Sequence, residues 1–136
     1  MSDAAFLDTN ILVYAFGSDD PRKEIAEELI IQGGMVSVQT LNEFTSVARQ
    51  KARASWPQIL YCLRIVEKLC PPPRPLTADA HRVGLTIAQA TGYHIYDSMM
   101  LATAIEASCK IFYSEDLHHD QTIEGLTIRN PFKRLR

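Results

Sequence analysis

Ala4-Ala5-Phe6-Leu7-Asp8-Thr9-Asn10 is a short apolar run that ends in an acid and passes into a second apolar stretch reaching Phe16. The run from Ala4 to Asp8 reads as a buried strand. Strands that are apolar on both faces belong to parallel sheets covered by helices on both sides. Asn10 to Phe16 then reads as a helix beginning where the strand ends. An acid at that junction lies beyond the carboxyl end of a strand, where open α/β sheets bind their ligands.

Outward from this start, helical and strand signals alternate and no repeat interrupts them. Asp20-Pro21 opens a helix with Ile25, Ala26, Leu29 and Ile30 on one face, and Gly33-Gly34 stops it. Met35 to Val38 is expected as a second strand. Thr40 is expected to start a helix with Leu41, Phe44, Val47 and Ala48 inward. Ser55-Trp56-Pro57-Gln58 has capping-box form and starts a helix carrying Ile59, Leu63 and Val66. Pro71-Pro72-Pro73-Arg74-Pro75 cannot continue it. Thr77 caps the next helix, with Ala80, Val83, Gly84, Ile87 and Ala88 at helical spacing and Gly92 at its end. Asp97 to Ala107 is nearly all apolar and reads as a buried helix. Cys109 to Tyr113 is expected as a third strand, Ser114 to Gly125 as a polar loop, and Leu126 to Ile128 as a last strand before Asn130-Pro131. Strands separated by helices imply right-handed crossovers, and so an α/β fold with a central parallel sheet between two helical layers.

A chain of 136 residues fits one domain over residues 1–136. An apolar share of 46% and a charged share of 22% argue for a folded protein and against disorder. No apolar run reaches the ~18 residues of a membrane helix. Met1-Ser2-Asp3-Ala4 lacks the basic start of a signal peptide, so the expected location is the cytoplasm. Cys62, Cys70 and Cys109 are scattered, with neither metal nor redox spacing, and read as small core or near-surface residues. The net charge of −2 argues against a protein that coats nucleic acid through bulk charge. An enzyme acting on nucleic acid remains open, because divalent ions at an acidic site would leave the remaining surface net positive.

Four acids stand out by position. Asp8 follows the first strand, Glu43 is expected in the first turn of a helix in Leu41-Asn42-Glu43-Phe44, Asp97 opens the buried helix, and Asp116 sits just past the third strand. Each has a purely structural explanation. Asp8 and Asp97 suit helix N-caps, Thr40 and Glu43 form a Thr-x-x-Glu capping box, and Asp116 suits a solvated loop. Taken together, strand ends and helix starts open on one rim of such a sheet, which brings four carboxylates to one pocket. Two unit charges ~4 Å apart repel by about 4 kcal/mol at an effective dielectric near 20. Such a cluster calls for a cation, and oxygen ligands without histidine or thiolate select Mg²⁺ or Mn²⁺ over zinc. Acid-only sites of this kind serve phosphodiester hydrolysis.

The Leu7-Asp8-Thr9-Asn10 start, the Leu41-Asn42-Glu43-Phe44 helix, the Tyr96-Asp97-Ser98 helix with Leu101-Ala102-Thr103-Ala104, and the Ser114-Glu115-Asp116-Leu117 loop follow one another in an order that resembles PIN-domain nucleases. The tail Gly125-Leu126-Thr127-Ile128-Arg129-Asn130-Pro131-Phe132 is similar to the end of VapC-like toxins of type II toxin–antitoxin pairs. The resemblance covers essentially the whole chain. It implies that Asp8, Glu43, Asp97 and Asp116 are the acidic quartet of a metal-dependent endoribonuclease, with Asp8 and Asp97 as the most regular metal ligands. It implies that Thr9, Asn10 and Ser114 orient those acids. Glu115 and Asp116 both suit the fourth place, and Asp116 is favoured. The resemblance further implies RNA cleavage, a homodimer, and inhibition by a cognate antitoxin that reaches into the site; with Mg²⁺ (or Mn²⁺) held by the acids, activated water is expected to leave a 5′-phosphate and a 3′-hydroxyl.

Other residues carry weaker signals. His118-His119 suggest metal or proton chemistry, although loop histidines are usually solvated. His94 reads as the end of a loop. Arg49, Lys51 and Arg53, and again Lys133, Arg134 and Arg136, form basic clusters that suit either RNA phosphates or an ordinary solvated face. Trp56, Leu60 and Tyr61 suit either core packing or a surface for a partner helix or second subunit. An aspartyl-nucleophile phosphatase needs a second acid where Asn10 stands, and a receiver domain needs an acid pair after its first strand and a lysine near its last. Neither pattern is present. A PIN-fold module that binds RNA or protein without cutting is the main alternative. DNA cleavage uses the same phosphate chemistry, but the chain has little room for a threading insertion.

Overall fold

Phe6 and Leu7 point to opposite sides of the first strand, as pleating requires, and each seeds one half of the core. The computed structural model describes residues 4–133. Its elements are β1 (Ala5–Leu7), α1 (Thr9–Phe16), α2 (Lys23–Ile31), α3 (Val38–Gln50), α4 (Trp56–Leu69), α5 (Ala78–Thr91), α6 (Ile95–Glu106), β2 (Ile111–Tyr113), β3 (Thr122–Ile123) and β4 (Leu126–Arg129). The sheet runs in the order β1-β2-β4-β3. The first three strands are parallel, so their carboxyl ends share one rim.

On one face Phe6 stacks on Phe112 at 5.4 Å between ring centroids. Ala80 and Ile87 of α5, Met100 and Leu101 of α6, and Leu126 and Ile128 of β4 complete that layer. On the other face Leu7 meets Ile11 and Leu12 of α1, Ala26, Leu29 and Ile30 of α2, Phe44 of α3 and Val66 of α4. Removing each such large side chain from water stabilises the fold by about 1.5–3 kcal/mol. The expected α/β architecture with helices on both faces is what the chain forms. α5 and α6 pack closely because Gly84 has no side chain: a methyl group there would lie 3.2 Å from the Met99 Cα and 3.3 Å from its nitrogen. No helix among the described residues is long and apolar enough to cross a membrane.

Several expectations need correction. Met35–Val38 is not a full strand. Met35 pairs with Phe6 in a single parallel bridge, and then Ser37 caps α3 by accepting the Thr40 N–H, so the chain turns helical at Val38. α3 therefore starts before Thr40, and its capping box joins Ser37 to Thr40, not Thr40 to Glu43. Glu43 lies in the second turn with its carboxylate free of capping. The polar loop 114–125 contains β3, antiparallel to β4, so the sheet is parallel except for this edge. Glu124 and Gly125 make that tight turn with φ of 47° and 83°. α6 begins at Ile95, two residues earlier than expected, because His94 caps it. Val83 is exposed on α5, whereas Ala80, Gly84 and Ile87 are buried. The caps at Ser55 and Thr77 and the left-handed stop at Gly92 are as expected. Cys70 and Cys109 are buried, Cys62 is partly buried, and all three are free thiols.

Candidate active site

Two strand ends and two helices, α3 and α6, bring the acids to the carboxyl rim. Asp8 follows β1 and is buried. One carboxylate oxygen accepts the Thr9 N–H at 2.7 Å and so caps α1. The other accepts the Ser114 hydroxyl at 2.8 Å. Ser114, fully buried just past β2, also accepts the backbone N–H groups of Asp116 and Leu117 at 3.2 and 3.4 Å. Its hydroxyl thus fixes both Asp8 and the loop that carries Asp116.

Glu43 is joined to the same network from α3. Its carboxylate accepts the Thr9 hydroxyl at 3.1 Å and the Gln39 amide at 2.8 Å. Gln39, one helical turn earlier and buried, also donates to the Tyr96 carbonyl at 3.3 Å, which ties Glu43 to the first turn of α6. Both partners of Nε2 are acceptors, so the amide orientation is unambiguous. Asp97 lies in that first turn. Asn10 donates to Asp116 at 2.7 Å across the rim.

The electrostatics link all four acids. Burial, with the neighbouring charges of Asp97 and Asp116, pushes the Asp8 carboxyl up to about 7, although the bonds from Ser114 and Thr9 oppose this. Asp97 is also raised, first by burial and then by Glu43 and Asp116, with His94 acting the other way. Among the described residues, no lysine or arginine forms a salt bridge with any of the four. Nor do three histidine, cysteine, aspartate or glutamate side chains stand close enough to form a ready metal cage.

The neighbouring acid Glu115 has a different environment. It accepts two bonds from Arg22 at 2.9 and 3.1 Å and the Tyr14 hydroxyl at 2.5 Å. Arg22 also grips Asp20 through two 2.9 Å bonds and lies 4.1 Å over the Tyr14 ring. These bonds hold Asp20 down at about 2. Burial and the Glu115 bond push the Tyr14 phenol up to about 12.

The histidines are accounted for locally. His119 accepts the Asn130 N–H through Nδ1 and faces Asp120 through Nε2, so both ring nitrogens are engaged. The His118 ring packs against Tyr93. His94 caps α6 by accepting the Tyr96 N–H at 3.2 Å, where the sequence suggested only a loop end. Arg49 stacks on Trp56 and bonds the Ala54 carbonyl. Arg134 and Arg136 lie outside the described residues. Gln39, Tyr14 and Arg22 were not singled out by sequence reasoning. The i, i+4 spacing of Gln39 and Glu43 was available as a signal, whereas nothing local pairs Arg22 with Glu115.

Away from the acids, an apolar groove of about 1060 Å³ runs between α1, α2, α3 and α4, with Phe16, Ile30, Phe44, Val47, Ile59 and Leu69 in its walls. Trp56, Leu60 and Tyr61 are all more than half exposed on α4, so core packing does not account for them.

A family model described as the PIN domain matches residues 5–124. No curated protein sequence matches the chain significantly. Among solved structures, a toxin–antitoxin complex from Klebsiella pneumoniae is similar at a TM-score of 0.71 and 20% identity, covering 94% of this chain and 98% of that one. VapC20 of Mycobacterium tuberculosis, a toxin that cleaves the sarcin–ricin loop, gives 0.68 and 16% over 83% of this chain and 92% of its own. VapBC2 of Rickettsia felis, bound to a DNA fragment from its promoter, gives 0.66 and 20% over 93% and 98%. The architecture, with its acids on the carboxyl rim, and the match over most of its length show that this chain belongs to the PIN domain family.

Proposed function

We propose that the protein is a Mg²⁺-dependent endoribonuclease and the toxin of a type II toxin–antitoxin pair, with Asp8, Glu43, Asp97 and Asp116 as its acidic site. The observation that carries this reading is the gathering of four acids on one rim, where burial and then neighbouring acids raise Asp8 and Asp97, and none of the four is salt-bridged to lysine or arginine among the described residues. The donor set is all oxygen, which suits Mg²⁺ or Mn²⁺. Magnesium commonly binds through one or two carboxylates and keeps several waters, so a ready three-acid cage is not required. Asp8 and Asp97 would hold the ion directly, with Glu43 and Asp116 acting directly or through water.

When bound, such an ion lowers the pKa of water and offsets the negative charge that builds on the phosphate oxygens. The chain's own residues orient the acids. Ser114 and the Thr9 N–H fix the two oxygens of Asp8, Gln39 and the Thr9 hydroxyl fix Glu43, and Asn10 fixes Asp116. Water attacks the phosphorus in line, leaving a 5′-phosphate and a 3′-hydroxyl. One domain over residues 1–136 acts as a homodimer in the cytoplasm. The partner reading draws on the toxin–antitoxin complexes among similar structures and on the apolar groove beside α4, which suits an apolar-faced antitoxin segment.

The test is inducible expression of wild type and Asp97→Asn in a bacterial host, following growth and mapping new RNA 5′ ends. Wild type is expected to halt growth and create discrete ends, and Asp97→Asn to do neither. Equal behaviour of two folded, equally expressed proteins refutes the reading. A PIN-fold module that binds without cutting is the second reading, favoured by the lack of three acids close enough to hold one ion among the described residues. Titration with Mn²⁺ separates the two, because the nuclease binds the ion and the module does not.

A further inference from the structure

We propose that Tyr96, with His94 packed beside it, is a stacking platform for an unpaired nucleobase flanking the scissile phosphate; this rests on the nuclease reading above. Tyr96 is 58% exposed and immediately precedes Asp97. The other strongly exposed aromatic residues among those described, Trp56 and Tyr61, lie on α4, where Tyr61 lines the apolar groove. Only Tyr96 adjoins one of the four acids in sequence.

The backbone of Tyr96 is held on both sides. Its N–H donates to His94 Nδ1 at 3.2 Å, and its carbonyl accepts from Gln39, which also grips Glu43. The phenol ring is therefore attached to the framework that orients the acids. The His94 ring lies 4.9 Å from the Tyr96 ring at an interplanar angle of 54°. Because Nδ1 accepts a hydrogen bond, a neutral His94 carries its proton on Nε2 and offers a donor at the edge of the platform.

Electrostatics explain why such a platform is needed. The four acids lack salt bridges to lysine or arginine among the described residues, and the chain carries a net charge of −2. Phosphate attraction at the acids therefore depends on the bound ion and not on paired side-chain cations. A neutral aromatic face supplies affinity that does not depend on charge, since every base has a π-face to stack. Bases within a duplex already stack on one another, so the platform selects unpaired RNA.

The test uses fluorescence anisotropy in Mg²⁺ on an Asp8→Asn background, which suppresses cleavage. The probes are a labelled oligouridylate of about 12 nucleotides, a duplex of the same length, and the same ribose–phosphate backbone without bases. Tyr96→Ala is expected to weaken single-strand binding about 5- to 100-fold, whereas Tyr96→Phe stays within about twofold. The baseless backbone should bind weakly and be indifferent to Tyr96→Ala. Where the wild-type site cleaves, Tyr96→Ala should raise KM with little change in kcat. Equal binding by Tyr96→Ala, equal binding of the baseless backbone, or no preference for the single strand overturns the proposal. A changed sedimentation coefficient for Tyr96→Ala also overturns it, because Tyr96 would then be a subunit contact. If wild type cuts no RNA while the binding pattern holds, the nuclease reading falls, and Tyr96 remains a base-stacking residue with no scissile phosphate beside it. Cleavage with KM indifferent to Tyr96→Ala gives the reverse.

Discussion

Glu115 and Asp116 are adjacent in sequence and live in opposite environments. Glu115 is gripped by an arginine and a phenol, and Arg22 in turn is saturated by Asp20. Asp116 is exposed and receives one neutral amide bond from Asn10. The comparison extends to the whole rim, where Asp8 and Asp97 are raised by burial and by neighbouring acids, while Asp20 is held low by Arg22. An acid paired with a cation inside the fold has its charge neutralised locally and contributes to structure. An acid held by hydroxyls and amides is oriented but keeps its demand for a cation, the condition of a binding site. By this criterion we propose Asp116 over Glu115 for the fourth place.

The sharpest way to break the comparison is to neutralise the two neighbours in turn. Asp116→Asn is expected to lower Mg²⁺-dependent cleavage about 10- to 100-fold, as loss of a water-mediated or outer metal partner does. Glu115→Gln should leave cleavage within about threefold. Initial rates on one mapped RNA substrate measure both, and a larger loss for Glu115→Gln reverses the assignment.

A second test concerns pH. The Asp8 carboxyl sits at about 7 in the fold against 3.8 ordinarily. The folded state thus binds this proton more tightly than the unfolded chain. Metal-free stability should fall as pH rises from about 4 to 7 and then level off. Asp8→Asn removes that burden and should stabilise the metal-free protein by about 1–3 kcal/mol at pH 7.5, with the advantage gone near pH 4. Urea unfolding at both pH values checks this. Mg²⁺ should narrow the gap at pH 7.5 by stabilising wild type more than the variant.

The smallest effect belongs to the satisfied region. Tyr14→Phe loses the phenol bond to Glu115 and should cost about 1 kcal/mol. The phenol stays neutral until about pH 12, so this loss should not vary between pH 6 and 9. Cleavage should be unchanged. A fall in cleavage comparable to that of Asp116→Asn would show that the two regions are not separable.

Local chemistry made much of this fold legible. Ser55 with Gln58, and Thr77 with Gly92, set helix ends through contacts three or four residues away, and both were readable. Ser37 and Thr40 begin two overlapping cap patterns, and sequence alone favoured Thr40 with Glu43 because glutamate is the commoner closing partner. The buried Ser37 hydroxyl serves instead, which leaves Glu43 for the rim. β3 escaped notice because two residues at a sheet edge have no periodicity to read. Asp8, Asp97 and Asp116 were singled out by positions at strand and helix ends, whereas Glu43, expected in a first turn, lies in the second turn of α3. The partners of the acids were less legible, because the Arg22–Glu115 and Asn10–Asp116 pairs join residues far apart along the chain.

Gly84 gives the core a grip on the rim. A side chain at this position would press on the backbone of Met99, two residues beyond Asp97, so the disturbance would pass along α6 to the acid. If the toxin proposal holds, a selection for cells that survive expression of this protein would gather substitutions at Gly84, on a helix that carries none of the four acids. Such survivors would keep all four carboxylates, and an inspection of the acids alone would score them as intact.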